Sequence, residues 1–319
     1  MGRSLTAGID LGGTKIQVVV LAEANVVGQA RHPTPQTDAP EVMDAMVAAV
    51  REALTGAGGT ESDLKAVGIG TPGSVDAATG HVSMASNVPG FLHDIALGPT
   101  VSSALGKVRV VVDNDVRAAV TGEFERGAGR PFSNLLGVFV GTGVGGGLII
   151  DGKLQRGRGS AGEIGHTVVK RDGRRCPCGR RGCLEAYAGR LAIEQTARRR
   201  QERGTRTKLF DIMEAKGKDR VSSSVIDTAL DRGDPLTVKL VHQAVRALGL
   251  ALANAQNLLD LEAIIVGGGL GDRLGAPFLT RVGAEMHKHL RTPDKPPALL
   301  GTELRDLSGS VGAAVLAGG

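Results

Sequence analysis

The chain has 319 residues, of which 41% are apolar and 22% charged, proportions that are ordinary for a globular protein and exclude a disordered one. The net charge is +5, but only 2% of the residues are aromatic, so the stacking surfaces of single-strand nucleic-acid binders are nearly absent and we expect no nucleic-acid partner. No apolar run approaches the ~20 residues of a spanning helix, and neither a signal-peptide pattern nor scattered cysteines occur, so we expect no membrane and a reducing, cytoplasmic location.

Periodicity and turn residues predict the elements in chain order. They are strands at 5–10, 16–22 and 26–32, a helix at 40–56, strands at 64–70 and 108–113, a helix from Asp115 to near Gly127, a hairpin over 135–151, helices near 185–200, 222–231 and 235–258, a final strand at 263–266 and a closing helix at 311–317. Because strands alternate with helices, the fold class is α/β. The strand–turn–strand around Asp10 is echoed around Gly141, which indicates two related halves.

Glycine is concentrated where strand-like runs end. The clusters are GIDLGGTK (8–15), VGIGTPGS (67–74), FVGTGVGGG (139–147) and IIVGGGLGD (264–272). Two of them contain G-x-G-x-x-G, but the first runs into a turn at Pro72 and the second into a strand at Leu148, whereas a dinucleotide fingerprint must open a helix. Since the chain also has no G-x-x-x-x-G-K-[ST], neither a Rossmann nor a P-loop protein is predicted.

A glycine turn between two strands can still bind phosphate, because its bare N–H groups can face an anion. The turn Asp10–Lys15 adds a carboxylate for Mg²⁺, a hydroxyl and an ammonium, although a plain hairpin turn explains the same residues equally well. Gly141–Gly143 repeats the pattern, and Gly267–Gly269 ends a third strand, where the chain could pass close to a nucleoside. Together the three loops favour nucleotide binding.

All three cysteines, Cys176, Cys178 and Cys183, lie in CPCGRRGC. A disulfide would leave an odd thiol, and a catalytic thiol needs only one cysteine. Structural zinc needs four ligands, for which Cys₃His is a standard set, and His166 completes H-x9-C-x-C-x4-C. Because C-x-C is tighter than the common C-x₂-C, the spacing favours zinc without excluding the other interpretations. Four arginines in and beside the window, Arg174, Arg175, Arg180 and Arg181, would offset the charge of three thiolates on zinc.

These motifs occur in the order found in the ROK family of sugar kinases, which the chain resembles from Gly8 to about Ala314. The matching motifs are DLGGTK, GTPG, the DND at 113–115, VGTGVGGG, the E-x-G-H at 163–166, CPCGRRGCLE and VGGGL. The likeness is greatest to the bacterial ATP-dependent glucokinases. It implies the actin-like, ribonuclease-H-like ATPase fold, with two α/β domains and a cleft between them. The small domain would comprise 1–113 with the C-terminal helix 308–319, and the large domain, with the zinc site, 114–307.

The resemblance also implies the ligands, which are glucose, ATP, Mg²⁺ and a structural Zn²⁺, and the residues that hold them. The nucleotide residues are Asp10 (toward Mg²⁺, through water), Gly12, Gly13, Thr14, Lys15, Gly141, Thr142, Gly143, Gly267, Gly268 and Gly269. The zinc ligands are His166, Cys176, Cys178 and Cys183, and the hexose ligands are Asn87, Asn114, Asp115, Glu163, His166 and Glu185. His166 would give one ring nitrogen to zinc and face the sugar with the other.

Asp115 is the catalytic base that the resemblance implies, toward the sugar 6-hydroxyl. The residues alone do not single it out, because Asp113 lies two positions away on the same face of a strand, and because Asp115 could simply cap the following helix. The family's Asn-Asp pair falls on Asn114 and Asp115, which decides between the two carboxylates. The sequence departs from the pattern just after this pair, where Val116 and Arg117 replace Ala and Asn of many relatives.

Other kinases share these motifs, so N-acetylmannosamine, N-acetylglucosamine, fructose and allose are alternative substrates. A sugar-responsive ROK repressor would carry an N-terminal DNA-binding domain, for which the residues before Asp10 leave no room. Polyphosphate-using relatives generally lack the cysteine window, so we expect ATP as the donor. Family members are commonly dimers or tetramers, so a homo-oligomer is expected.

Overall fold

The computed structural model describes residues 4–318; residues 1–3 and 319, at the two ends of the predicted small domain, lie outside the described residues. The chain forms two compact units, unit 1 (1–131 with 303–319) and unit 2 (132–302). These units divide after Pro131 because the helix after Asp115 packs against the C-terminal helix, within unit 1. The domain division after Asp113 stays a prediction.

The strands and helices follow each other in the order of an α/β protein. The strands are β1 (Leu5–Leu11), β2 (Lys15–Ala22), β3 (Asn25–Pro33), β4 (Leu64–Thr71), β5 (Ser74–Asp76), β6 (His81–Ser83), β7 (Arg109–Asn114), β8 (Leu135–Val140), β9 (Val144–Ile150), β10 (Lys153–Gln155), β11 (Ala263–Gly267) and β12 (Ala298–Gly301). The α-helices are α1 (Ala39–Gly56), α2 (Leu97–Ala104), α3 (Asp115–Arg126), α4 (Glu185–Ala188), α5 (Arg190–Glu202), α6 (Leu209–Ala215), α7 (Ser223–Asp231), α8 (Pro235–Leu259), α9 (Gly268–His287) and α10 (Ser308–Gly318). Short 3₁₀ helices cover Glu61–Asp63, Ile164–His166 and Arg305–Leu307.

Two of the predicted elements are wrong in detail. The strand at 263–266 is not the last one, because β12 pairs with it in parallel after the intervening helix α9. Helix α9 was not predicted from the sequence, because the glycines at its start have low helix propensity. The predicted helix at 185–200 is two helices, because Gly189 between them has extended backbone angles (φ −63°, ψ 137°).

Each unit is built on a five-stranded sheet with the same strand order and directions. In unit 1 the order is β3-β2-β1-β4-β7, and in unit 2 it is β10-β9-β8-β11-β12. In both, the first three strands in sequence are antiparallel neighbours and the last two add in parallel. The α/β class is confirmed, and the shared topology agrees with two related halves.

Helices cover both faces of the unit 1 sheet because the side chains of β2 alternate between them. Val18 and Val20 belong to the core that includes α1, whereas Val19 and Leu21 pack with Val311 of α10. α10 approaches the sheet closely at Gly68, where a Cβ would lie 1.7 Å from the carbonyl oxygen of Ala313. This close approach explains why β4 carries a glycine in an otherwise apolar run.

The longest helix of unit 2, α8, is the one helix of residues 4–318 that is long and apolar enough to cross a membrane. Of its most apolar 18-residue window, 67% is buried inside the protein. It packs against α9 and α4, with Leu240, Leu248 and Leu252 in the core of unit 2. These contacts are those of a core helix.

Candidate functional site

The predicted base Asp115 and the predicted Mg²⁺ residue Asp10 lie at one edge of the unit 1 sheet. β1, β4 and β7 are parallel neighbours, so their carboxyl ends reach the same edge. Asp10 is in register with Gly70, and Gly70 with Asp113. The GTPG loop also lies against Asp115, since a Cβ on Gly70 would be 3.4 Å from its Cα. The sheet topology therefore brings together three motifs that lie far apart in the sequence: Asp10, the GTPG loop and the residues 113–115.

Asp113 and Asp115 have different surroundings. Asp113 is 1% exposed, and the Nε of Arg117 donates to its Oδ1 over 2.6 Å, so its charge is neutralised in a buried ion pair. Asp115 is the first residue of α3 rather than part of β7. The prediction that the two carboxylates share a strand face is therefore wrong. Asp115, which is half-buried, is the better placed to meet a ligand.

The N-cap residue of α3 is Asn114, not Asp115. The Oδ1 of Asn114 accepts from the backbone N–H groups of Val116 and Arg117, over 3.0 and 3.2 Å. The cap thus accounts for the oxygen of Asn114, whose amide NH₂ group has donors only. The Oδ1 of Asp115 also accepts from the N–H of Val116, over 2.9 Å, so its carboxylate shares in capping the first turn of the helix.

Asp10 carries a strongly perturbed carboxyl at this edge. Burial and then the neighbouring Asp115 charge raise the pKa of Asp10 to about 7, while Lys15 opposes the shift. The carboxyl packs against Gly309 at the start of α10, where a Cβ would lie 2.7 Å from its Cγ. Two carboxylates that repel each other favour a divalent cation beside them. Mg²⁺ fits this donor set.

The turn after Asp10 has its carbonyl groups held from behind. Gly12 accepts from the Oγ1 of Thr34 at 2.6 Å, and Gly13 accepts from the Nε2 of Gln36 at 3.0 Å. In a trans peptide the following N–H points opposite to the carbonyl. The N–H groups of Gly13 and Thr14 therefore face the other side, and nothing in the described part of the chain accepts from them. Such a surface suits an anion.

Two more predicted residues lie at this turn. The backbone carbonyl of Asn87 packs on Gly13, at 2.2 Å from the position a Cβ would take. The Nζ of Lys15 is 3.5 Å from Asp306, in an exposed pair of little strength that a phosphate could replace. The supporting residues Thr34 and Gln36 were missed by sequence reasoning, because nothing local marks them as partners of a turn some twenty residues earlier.

Unit 2 brings its two glycine loops together in the same way. β8 and β11 are parallel neighbours, with Phe139 in register with Gly267. Gly268 has φ +82° and packs so closely on the backbone of Val140 that a Cβ would lie 2.8 Å from its nitrogen. Gly268 also begins α9, so the third loop joins a strand to a helix N-terminus.

The loop Gly141–Gly143 repeats the arrangement of the first turn. The carbonyls of Gly141 and Thr142 accept from the backbone N–H groups of Arg190 and Leu191, over 3.0 and 3.1 Å. The N–H groups of Thr142 and Gly143 therefore face away from α5, and they donate to no group of residues 4–318. Each unit thus presents one turn with free N–H groups on one side.

The four predicted zinc ligands come together in unit 2. One atom each from His166, Cys176, Cys178 and Cys183 lies within 4.8 Å of the other three. The Sγ atoms of Cys178 and Cys183 are 3.7 Å apart, and Cys176 Sγ is 3.8 Å from the Nδ1 of His166. A zinc tetrahedron with Zn–S bonds of about 2.3 Å has edges of about 3.8 Å. The cluster fits Zn²⁺, with Nδ1 as the histidine ligand.

The ionisation of the thiols agrees with this assignment. Burial raises the pKa of Cys176 to about 12, and burial and Cys178 raise that of Cys183. Burial also acts to raise the pKa of Cys178, but hydrogen bonds from Arg180 and the other two thiols outweigh it and lower this pKa to about 6. Ionisation of Cys178 therefore disfavours ionisation of the other two thiols, so three thiolates at this position require a cation among them.

The arginines in and beside the cysteine window do not all contact the cluster. Arg180 hydrogen-bonds to Cys178, as the predicted charge compensation requires. Arg174 instead lies 4.7 Å above the Tyr187 ring and donates to Gln243. Its expected role beside the thiolates is wrong, because the ring and the amide of α8 bind its guanidinium.

Glu185 links the cluster to the loop Gly141–Gly143. Its Oε2 accepts from the N–H of Val144 at 3.0 Å and presses on Gly143, where a Cβ would lie 2.3 Å away. Its Oε1 is 3.7 Å from the Sγ of Cys176. Glu163, exposed, precedes the 3₁₀ helix that ends at His166. Glu185 therefore contacts the cluster directly, and Glu163 lies three residues before His166, one of its members.

Comparisons with known proteins agree with this geometry. The sequence model of the ROK family matches residues 6–319. The glucokinase of Streptomyces coelicolor (strain ATCC BAA-471 / A3(2) / M145) is 35% identical over 319 residues, which cover 98% of this chain and 97% of that one. The N-acetylmannosamine kinase of Escherichia coli (strain ATCC 8739 / DSM 1576 / NBRC 3972 / NCIMB 8545 / WDCM 00012 / Crooks) is 31% identical over 316 residues, covering 98% of both.

A solved structure is similar over the whole chain. It is the crystal structure of a ROK family glucokinase from Streptomyces griseus in complex with glucose and AMPPNP. That chain is 36% identical, with a TM-score of 0.81, and the match covers 98% of this chain and 99% of that one.

Proposed function

The chain belongs to the ROK family and has the actin-like α/β fold of its sugar kinases, and we propose that it transfers the terminal phosphoryl group of ATP to the 6-hydroxyl of glucose. The observation that carries the proposal is the position of Glu185. One carboxylate contacts both the Cys₃His cluster and the loop Gly141–Gly143. Residues suited to sugar hydroxyls and residues suited to phosphate thus form one continuous structure in unit 2.

Phosphoryl transfer needs a positioned hydroxyl, a base and positive charge around the phosphates. Asp115 would take the proton of the 6-hydroxyl, since Asp113 is neutralised by Arg117 and Asn114 caps α3. The N–H groups of the two glycine turns would bind phosphate oxygens, and Gly267–Gly269 would approach the adenosine. Asp10 would hold Mg²⁺ through water; the ion would supply charge at the transferred phosphate.

The hexose ligands fall into one set in each unit. In unit 1 they are Asn87, Asn114 and Asp115; in unit 2 they are Glu163, His166 and Glu185. Carboxylates accept from sugar hydroxyls, and the Nε2 of His166, opposite the Nδ1 that faces Cys176, would complete the set. Zn²⁺, held by His166, Cys176, Cys178 and Cys183, would have a structural role, keeping these side chains in place.

N-acetylmannosamine is the second candidate substrate, because a kinase for that sugar is 31% identical over nearly the whole chain. An N-acetyl group adds an amide that a glucose site need not accommodate, so the two substrates should differ clearly in kcat/KM.

A coupled ADP-release assay over a hexose panel tests the proposal, with glucose, N-acetylmannosamine, N-acetylglucosamine, fructose and allose as acceptors. We expect glucose with ATP to have the highest kcat/KM. A second series replaces ATP with polyphosphate and measures the formation of glucose 6-phosphate, which tests the phosphoryl donor. A higher kcat/KM for N-acetylmannosamine than for glucose would identify N-acetylmannosamine as the substrate. The absence of turnover with every hexose would refute the proposal.

A further inference from the structure

Arg190, the first residue of α5, ties the loop Gly141–Gly143 to a second segment of unit 2. Its Nη2 donates to the Oγ1 of Thr142 over 2.7 Å, and its Nη1 donates to the carbonyl oxygen of Val221 over 2.7 Å. Its backbone N–H also holds the carbonyl of Gly141. The loop is therefore fixed by both the main chain and the side chain of one residue.

The hydrogen bond to Thr142 has a defined direction. A guanidinium has donors only, so the hydroxyl oxygen of Thr142 is the acceptor and its own hydrogen points elsewhere. The N–H groups of Thr142 and Gly143 face away from α5, on the side proposed for phosphate. The hydroxyl can add a further donor near these two N–H groups.

The charge of Arg190 is not balanced by a carboxylate of its own. In residues 4–318 no carboxylate oxygen lies within 4 Å of its guanidinium, and the nearby Glu194 is paired with Arg198 at 2.8 Å. Burial lowers the pKa of Arg190, Glu194 acts against this and Arg220 adds to it. A half-buried guanidinium with no carboxylate in direct contact among residues 4–318 is a position that an anionic ligand would stabilise.

We propose that Arg190 is a positioning residue for the nucleotide phosphates: it orients the Thr142 hydroxyl and places a positive charge one hydrogen bond behind it. The proposal rests on the proposed function, in which the loop Gly141–Gly143 holds phosphate. Arg190 acts through Thr142 and is not part of the chemical step. Removing its side chain should therefore weaken the binding of a nucleotide more, the more phosphates the nucleotide carries. The affinities for the sugar and for adenosine should not change.

The test compares Arg190→Met, Arg190→Lys, Thr142→Val, Thr142→Ser and the double variant Arg190→Met/Thr142→Val. For Arg190→Met and Thr142→Val we expect KM for ATP to rise about 10- to 100-fold, the range for one charge-assisted hydrogen bond. KM for the hexose and the affinity for adenosine should stay at the wild-type value. Thr142→Ser should restore ATP binding, and the double variant should lose less than the product of the single effects.

Arg199→Met is the matched control, because Arg199 is an exposed arginine on the same helix. It should leave every constant unchanged. The proposal is overturned if Arg190→Met keeps KM for ATP within about twofold of the wild type, or if adenosine binding falls as much as ATP binding. If Arg190→Met does not fold, the Thr142→Val and Thr142→Ser pair with Arg190→Lys decides by the same criteria.

Failure of the proposed function would be seen separately. Calorimetric binding of ATP, ADP and adenosine does not need turnover. A wild-type protein that phosphorylates no hexose but loses ATP affinity on Arg190→Met would refute the function and keep the role of Arg190.

Discussion

Three consecutive polar residues at the end of β7 have three separate roles. Asp113 is buried in an ion pair with Arg117, and Asn114 caps α3. Asp115 begins the helix and lies beside Asp10, whose pKa it raises. Arg117 therefore acts on Asp113 and stabilises the end of β7, which Asp115 directly follows.

The first prediction concerns Asp115→Asn. We expect kcat to fall by about 10²- to 10⁴-fold, the usual contribution of a general base, while the Kd for glucose changes little because the amide keeps the shape and one acceptor. The coupled assay and calorimetry measure the two quantities. Asp44→Asn, an exposed carboxylate of α1, is the control, and a near-normal kcat in Asp115→Asn would place the base elsewhere.

The second prediction concerns pH and Asp10. Because the pKa of Asp10 is raised to about 7 from 3.8, the folded state binds a proton more tightly than the unfolded state. The stabilising effect of this proton is complete below about pH 4 and is lost as the pH rises through about 7. Asp10→Asn, which stays neutral, should therefore gain stability over the wild type between pH 4 and 8.

Urea unfolding without Mg²⁺ at pH 5 and pH 8 measures this difference. We expect Asp10→Asn to exceed the wild type at pH 8 by about 1–2 kcal/mol more than at pH 5, after allowing for solvent screening of a half-buried group. Adding Mg²⁺ and ATP should reduce the advantage. An equal difference at both pH values would show that the carboxyl is not perturbed.

At the scale of elements, both glycine turns are shaped by partners from another segment. The first is held by Thr34 and Gln36, and the second by the N-terminal residues of α5. The segment from Cys183 to Leu191 carries one member of the Cys₃His cluster, Glu185 and the contacts to Gly141 and Thr142. Changes at the Cys₃His cluster should thus reach the loop through one short stretch of chain.

Glu123 connects α3 with the segment that leads into α10. It is 0% exposed, and its carboxylate accepts from the N–H groups of Ala128, Glu303 and Leu304 and from the hydroxyl of Ser308, over 2.7–3.0 Å. Four donors around one carboxylate satisfy the charge without a cation.

The third prediction is that Glu123→Ala lowers the free energy of unfolding by about 2–4 kcal/mol, because several buried donors lose their acceptor. Urea unfolding measures it. Glu125→Ala, on the exposed face of the same helix, should change stability by less than about 0.5 kcal/mol. Similar values for the two variants would contradict a structural role for Glu123.

At the scale of the whole molecule, each unit has its own buried core. The main core of unit 1 runs from Leu5 to Val112, and that of unit 2 from Leu136 to Met286. The Cys₃His cluster belongs to unit 2 alone. Loss of the metal should therefore disturb one unit and spare the other.

The fourth prediction is that Cys178→Ser, or chelation of the wild type, removes zinc and with it glucose binding, and lowers the Tm of unit 2 by on the order of 10 °C. Hydrogen exchange should rise near the cluster and its neighbouring strands but not in β1, β4 and β7. Cys178 is exposed, so its substitution tests the metal rather than core packing. Normal glucose binding in zinc-free protein would refute the structural role.

The local features of this protein follow from the sequence. Alternating and helical apolar patterns predict most strands and helices, because each depends on neighbouring residues. The cysteine window, with His166 ten residues before it, predicts a Cys₃His set for the same reason, and the cluster confirms that these residues meet. Asp10, the glycine turns and Asp115 stand out because each follows a strand.

Only the tertiary structure decides which distant groups these residues meet. Sheet order brings Asp10, Gly70 and Asp113 into one line. The packing of a loop and of helix α5 places Thr34 behind Gly12 and Arg190 behind Thr142. The tertiary structure also separates Asp113 from Asp115, which spacing left equivalent. Hydrogen-bond partners and counter-ions twenty or more residues away leave no mark on local periodicity, because strand order and packing, not neighbouring residues, determine their distances.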